Sequence, residues 1–153
     1  MPTELQNGPF LLSTDPSRLD VGAIYDFLSK SYWASVRPRA MIEKSISNSL
    51  CFGVYEGRNQ IGFARAVTDY ATFAYLADVY ILKPYWGRGL GKWLIRSILD
   101  CEELKGLRRW CLITRDAQPL YQECGFSKVP NPDHYMELVR PYPKPSDSPT
   151  CAQ

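Results

Sequence analysis

The sequence predicts an α+β fold of the mixed α/β kind, and three observations carry that prediction. Helical spacing comes first along the chain. A meander of aromatic and β-branched segments follows. The remainder alternates strand, helix, strand, helix, strand, which requires one crossover connection. At 153 residues the chain is the size of one domain with a real core. Neither a repeat nor a second domain is visible. One domain is expected over 1–140, followed by a Pro/Ser-rich tail, 141–153, that reads as extended or disordered.

Ser13, Thr14 and Asp15 are N-cap candidates ahead of Leu19, Ile24, Phe27 and Leu28, whose spacing is mostly helical. A second short helix is expected over 39–47. The segments "LCFGVYE", "QIGFARAVTDY" and "FAYLADVYIL" read as strands, with "EGRN" as the turn between the first two. The third strand ends at Lys83-Pro84, because Pro84 has no N–H to give a ladder. Leu90, Trp93, Leu94, Ser97, Ile98 and Cys101 then mark one face of an amphipathic helix. "LRRWCLITR" reads as a strand, "DAQPLYQECGF" as a short helix closed by Gly125, and "HYMELVR" as a last strand.

Composition excludes several function classes. Hydrophobic residues make up 45% and charged residues 22%, as in an ordinary soluble globular protein. A net charge of +2 is too small to argue for nucleic acid. No run approaches the ~18 apolar residues of a membrane span, and "MPTELQNGPF" lacks the pattern of a signal peptide. The five cysteines are odd in number and form no C-x-x-C, so a reduced, cytoplasmic setting is expected. A single histidine, His134, argues against a His-based zinc site or a Ser-His-Asp triad, and no metal is expected.

The stretch "YWGRGLGKWL" carries the first functional signal. A strand that runs through glycines into a helix aims several backbone N–H groups at one point, where the helix end adds roughly +0.5 of an elementary charge. Glycine admits close approach of a ligand. Arg88 and Lys92 can add cationic charge at the rim. A phosphate-bearing ligand is therefore expected. It is not held by a P-loop: counting back from Gly91-Lys92 puts Trp86 where the first glycine belongs and Trp93 where Ser or Thr belongs. The spacing G-x-G-x-G also fails the dinucleotide fingerprint.

"DVYILKPYWGRGLGKWLI" resembles the acyl-CoA motif of the GNAT N-acetyltransferase superfamily, an apolar strand followed by [QR]-x-x-G-x-[GA] opening a helix. Gly89 and Gly91 take its small positions, and Trp86 stands where Gln or Arg is usual. "TRDAQPLYQECGF" is similar to the second family signature: Ala117, Leu120, Tyr121, Gly125 and Phe126 match, and Thr114 replaces the usual Asn. Together the two cover about 78–126.

The resemblance implies a mixed, mostly antiparallel sheet that splays where strand 73–82 bends away from strand 109–115. It implies acetyl-CoA as co-substrate, with pantetheine against the backbone of Val79 and Ile81. A backbone N–H near Val79 or Tyr80 would face the thioester carbonyl. Amides from Trp86 and Gly87 through Arg88, Gly89, Leu90, Gly91 and Lys92 would hold the pyrophosphate, with Thr114 and Ala117 nearby. Tyr121 matches the family's tyrosine, which protonates the leaving thiolate; its alternative role is a core aromatic. Asp78 interrupts an apolar strand, so it is a base, a substrate anchor acting directly or through water, or a structural hydrogen-bonding group. Tyr32, Trp33, Tyr70 and Phe73 are expected to wall the acceptor site, and Asp69 to face a cationic acceptor or simply to shape a hairpin. Asp116 reads as an N-cap, Arg115 as a surface or orienting residue, and Cys124 as a buried thiol.

Three readings follow. The first is an acetyl-CoA-dependent N-acetyltransferase acting on a small primary amine, with no nucleic acid or membrane partner. The second acts on protein lysines or N-termini. The third is a non-catalytic acyl-CoA-binding module on the same fold. The oligomeric state stays open, a homodimer included.

Overall fold

A computed structural model describes residues 1–143. Six strands form one sheet in chain order: β1 (Glu4–Asn7), β2 (Phe10–Ser13), β3 (Leu50–Glu56), β4 (Asn59–Thr68), β5 (Phe73–Ile81) and β6 (Arg109–Cys111). Every neighbouring pair is antiparallel except β5 and β6, which are parallel. The helices are α1 (Val21–Ser29), α2 (Arg39–Ser47), α3 (Leu90–Leu99) and α4 (Gln118–Glu123). The fold is α+β with a mixed, mostly antiparallel sheet, as the sequence predicts.

Two cores pack on the sheet. One joins Ile24 and Leu28 of α1, Ile42 of α2 and Phe63 and Tyr80 of the sheet. The other joins Leu90, Leu94, Ile95 and Ile98 of α3 to Phe52, Val54, Ala64, Ala66 and Leu76. Parity along β5 changes sides between them. Leu76 and Ile81 share one core while Tyr80 belongs to the other, which strict alternation forbids. A bulge accounts for it: Phe63 pairs with Tyr80 but Arg65 with Ala77, and Asp78 between them has φ 55°. Aspartate tolerates this left-handed conformation better than most residues.

The bulge also shapes the open edge of β5. Pairing with β6 is confined to Phe73–Tyr75 against Arg109–Cys111, after which the strands part. β6 is accordingly three residues long, shorter than the expected 107–115.

Three other expectations need correction. α1 starts at Val21, capped by Asp20, whose Oδ1 accepts from Ala23 N at 2.9 Å. Ser13 ends β2 instead, and Asp15 caps a single turn, Pro16–Arg18. Ahead of Ser13, where the sequence predicts no element, β1 and β2 form a hairpin around Gly8-Pro9, with Gly8 at φ 58°. The segment 134–140 is not a strand: no neighbour pairs with it, and Met136, Leu138 and Val139 are exposed. Its β-favouring composition has no partner edge to act on. Of the tail, Tyr142 is described and accepts from Arg37 Nε at 3.2 Å; residues 144–153 lie outside the described part.

Candidate active site

The gap between β5 and β6 opens two adjoining cavities. The first, about 710 Å³, is lined by Val79, Tyr80 and Ile81, by Trp86, Gly87 and the Gly89–Lys92 stretch, and by Ala117, Leu120 and Tyr121 of the α4 region. Gly87 and Gly89 stand at φ 79° and 75°, and Gly89 is the N-cap of α3, which a side chain at that φ would strain. Leu82 N donates to Ile61 O, so by alternation Ile81 turns its backbone to the open edge. There the Ile81 carbonyl accepts the Trp86 indole N–H at 2.7 Å. Tyr80 stacks on Phe27, ring centroids 3.7 Å apart, and stiffens this wall.

The second cavity, about 420 Å³, lies deeper in the splay, lined by Trp33, Arg37, Arg65, Tyr75, Asp78 and the 112–117 segment. Its floor is a cross-linked set. Asp78 Oδ1 accepts from Trp33 Nε1 at 2.9 Å, while Oδ2 accepts from Arg37 Nη1 at 2.8 Å and Arg65 Nε at 2.6 Å. The Asp78 side chain is 1% exposed, and those of Arg37 and Arg65 11% and 13%. Burial pushes the Asp78 carboxyl up, but the two guanidiniums outweigh it and hold the group below its usual value. Burial likewise opposes the charge on Arg37, and Asp78 more than restores it. The loop after α1 is fixed for this contact: Ser31 Oγ donates to Leu28 O and accepts from Ala34 N, which sets Trp33 over the strand.

Tyr32, Trp33, Val79, Arg115, Asp116, Ala117 and Tyr121 line both cavities. Arg115 lies over the Tyr32 ring at 3.7 Å, joining the two sides of the gap. Tyr121 is 9% exposed, and burial pushes its phenol up to about 12. It therefore keeps its proton at neutral pH.

Several expected residues stand elsewhere. Asp69 Oδ1 accepts from the N–H groups of Ala71, Thr72 and Phe73, and Oδ2 from the Thr72 hydroxyl, so it knots the β4–β5 loop. Those bonds hold its carboxyl well below the usual range. Asp69, Tyr70 and Phe73 line neither cavity, because the splay begins beyond Tyr75. Arg88 turns onto the Tyr85 ring, 5.3 Å from its centroid, and is not in the first cavity's wall. Lys92 reaches the rim but pairs with Glu123 at 2.8 Å. Thr114 lines the second cavity, not the first, and its hydroxyl accepts from Ala117 N. Asp116 is not the N-cap of α4: that position is Ala117, without a side-chain cap, and Asp116 pairs with exposed Arg115. Cys124 is half-buried, and His134 is exposed on a single turn. Arg37 and Arg65 were not anticipated. Arg65 interrupts an apolar strand as Asp78 does, which is the sequence signal for a buried ion pair; the register opposite Ala77 that joins them belongs to the structure.

A sheet parted at a parallel edge, with a glycine turn opening a helix beside the parting, is the α+β architecture shared with GNAT-family structures. The chain belongs to the GNAT acetyltransferase family, whose model matches residues 19–126, and it is an N-acetyltransferase. A Gibberella zeae protein assigned as an acetyltransferase is 36% identical over 143 residues, covering 78% of this chain and 80% of its own. The crystal structure of a GNAT-family protein from Xanthomonas campestris pv. campestris aligns with TM-score 0.83 at 43% identity, covering 86% of this chain and 94% of that one. The fold extends to an acetyltransferase of Clostridium acetobutylicum solved with acetyl-CoA, at TM-score 0.61 and 14% identity, covering 85% and 94%. Among the described residues no helix is long and apolar enough to cross a membrane, and no cluster of His, Cys, Asp and Glu could hold a metal ion.

Proposed function

We propose that the protein transfers the acetyl group of acetyl-CoA directly to a small primary amine. The observation that carries this reading is the contact of two cavities along one wall containing Tyr121 and Val79. The first cavity has the backbone donors a pyrophosphate requires at the Gly87–Lys92 turn. Pantetheine would run along the unpaired edge of β5, and the N–H of Val79 would polarise the thioester carbonyl.

The neutral amine, seated in the second cavity, attacks the carbonyl carbon, and a C–N bond forms. As the tetrahedral intermediate collapses, the C–S bond breaks and the thiolate takes the Tyr121 proton. The nitrogen releases its extra proton, and solvent restores the phenol. Burial, which pushes the phenol up to about 12, keeps it protonated and also makes it a weaker acid, so the proton would pass only as negative charge develops on the sulfur. Asp78 is held ionised and already accepts three hydrogen bonds, which suits it to fixing Arg37 and Arg65. A cytoplasmic setting is supported by free cysteines at 51, 101, 111 and 124.

The test is a screen of amines with acetyl-CoA, reading free thiol and the mass of the product, beside calorimetry of acetyl-CoA binding. The expected result is binding and acceptor-dependent thiol release. An acceptor range that yields no product mass, with no acetyl-CoA binding, would end the proposal.

A further inference from the structure

We propose that the acceptor is a small amine that also carries an anionic oxyacid group, carboxylate or phosphate, and that Arg37 and Arg65 bind that group at the floor of the second cavity. The inference rests on the acetyl-transfer reading above and names the substrate class of the same site.

Charge is the first argument. The buried floor sets two guanidiniums against one carboxylate, Asp78. Arg115 and Asp116, also in the lining, cancel one another. The cavity is therefore net positive in a place where unbalanced charge is costly. An anionic acceptor removes the imbalance, whereas a diamine adds to it.

The donor inventory is the second argument. Arg37 commits Nη1 to Asp78 and Nε to the Tyr142 hydroxyl. Arg65 commits Nε to Asp78 and Nη1 to Ser49 Oγ. Nη2 of each has no hydrogen-bond partner among the described residues. Two guanidiniums pinned through one carboxylate present these remaining N–H groups in a fixed arrangement, which suits the several oxygens of a carboxylate or phosphate.

The third argument concerns what the cavity lacks. A cationic amine needs a carboxylate with free acceptors, and the buried Asp78 is already engaged at both oxygens. The amine must in any case arrive neutral.

Four acceptors of similar size separate the cases: 3-aminopropanoate, 2-aminoethyl phosphate, 2-aminoethanol and 1,3-diaminopropane. The two anionic amines should exceed the neutral one in kcat/KM by about 10- to 100-fold, the range for hydrogen bonds to a charged group. Which of the two leads distinguishes carboxylate from phosphate. Arg37→Gln and Arg65→Gln should each erase most of that preference by raising the acceptor KM, with the KM of acetyl-CoA unmoved. Arg65→Lys should recover part of it. Equal or better use of 2-aminoethanol or 1,3-diaminopropane by the parent protein overturns the proposal, as does a preference that survives both glutamine variants. The parent's selectivity decides even where a variant fails to fold. Calorimetry of the four amines against protein saturated with coenzyme A separates the two readings. Binding of an anionic amine without turnover ends the transfer reading and keeps the anion site, and binding of neither anionic amine ends the anion site.

Discussion

The two cavities are built from different materials. The first is centred on the glycine turn ahead of α3 and the edge of β5, closed by aromatic residues after α1 and by the 115–123 region, and its glycines offer bare backbone. The second is made by side chains from three distant segments, Trp33 and Arg37 after α1, Arg65 on β4 and Asp78 on β5, tied through one carboxylate. A backbone site tolerates loss of neighbouring side chains but not a change in conformational freedom. A side-chain site behaves in the opposite way: one truncation strands its partners.

The largest effect is expected on the wall that both halves share. Tyr121→Phe keeps the ring and removes the hydroxyl, and kcat should fall by about 10²–10⁴-fold with thermal stability nearly unmoved. An unchanged rate in a step shown to be limited by chemistry removes Tyr121 from the mechanism.

Next comes Asp78→Ala, which leaves two buried guanidiniums facing each other. Urea unfolding should show a loss of about 3–5 kcal/mol; a loss under about 1 kcal/mol would mean that the arginines relax into solvent. Asp78→Asn gives the pH signature. The folded carboxyl is held below its unfolded value of about 3.9, so its contribution is complete above that value and fades as pH falls through the folded one. The gap in melting temperature between parent and Asp78→Asn should be wide at neutral pH and close in strong acid. A gap of constant width down to about pH 2 would show that the ion pairs do not stabilise the fold.

In the backbone-built half, Gly89→Val meets no neighbour within 4 Å of its Cβ, so any effect comes from φ 75° and from the blocked approach of ligand. The left-handed conformation costs about 1–2 kcal/mol, and the Kd for acetyl-CoA should rise at least ~10-fold. Wild-type affinity in a folded variant would move the pyrophosphate elsewhere. Smallest of all is Arg88→Ala. With its guanidinium over Tyr85, its loss should alter the acetyl-CoA Kd by less than about threefold. A larger change would return Arg88 to the binding wall and blur the contrast between the halves.

The contrast also sets what the sequence could disclose. The glycine turn, α3 and the Tyr121 helix are written in local order, so spacing alone finds them. Strands β3, β4 and β5 were legible because their composition is apolar and β-branched over long runs. The hairpin β1–β2 was missed: Glu4–Asn7 is exposed throughout, which leaves no alternation to read, although Asn7-Gly8 was a turn signal. The segment 134–140 has a strand's composition without a strand's partner. Asp78 stands out as a charge in an apolar strand, but its partners do not, since Arg37 and Arg65 lie 41 and 13 residues away and meet it only in the folded chain. Asp69 and Tyr70 have polar chemistry that suits a site, but they lie in a loop whose own hydrogen bonding accounts for them.

The shared wall has a practical consequence. Because seven residues border both cavities, ligands seated in the two would meet along one wall. A single molecule that joins coenzyme A to an acidic amine through a short acetyl bridge would then bind both halves at once. Its second half would dock at an effective concentration in the millimolar range or above, so its affinity should exceed that of coenzyme A by orders of magnitude. Such a bisubstrate compound would serve as an inhibitor and as a ruler: the bridge length that binds best measures the distance over which the acetyl group has to travel.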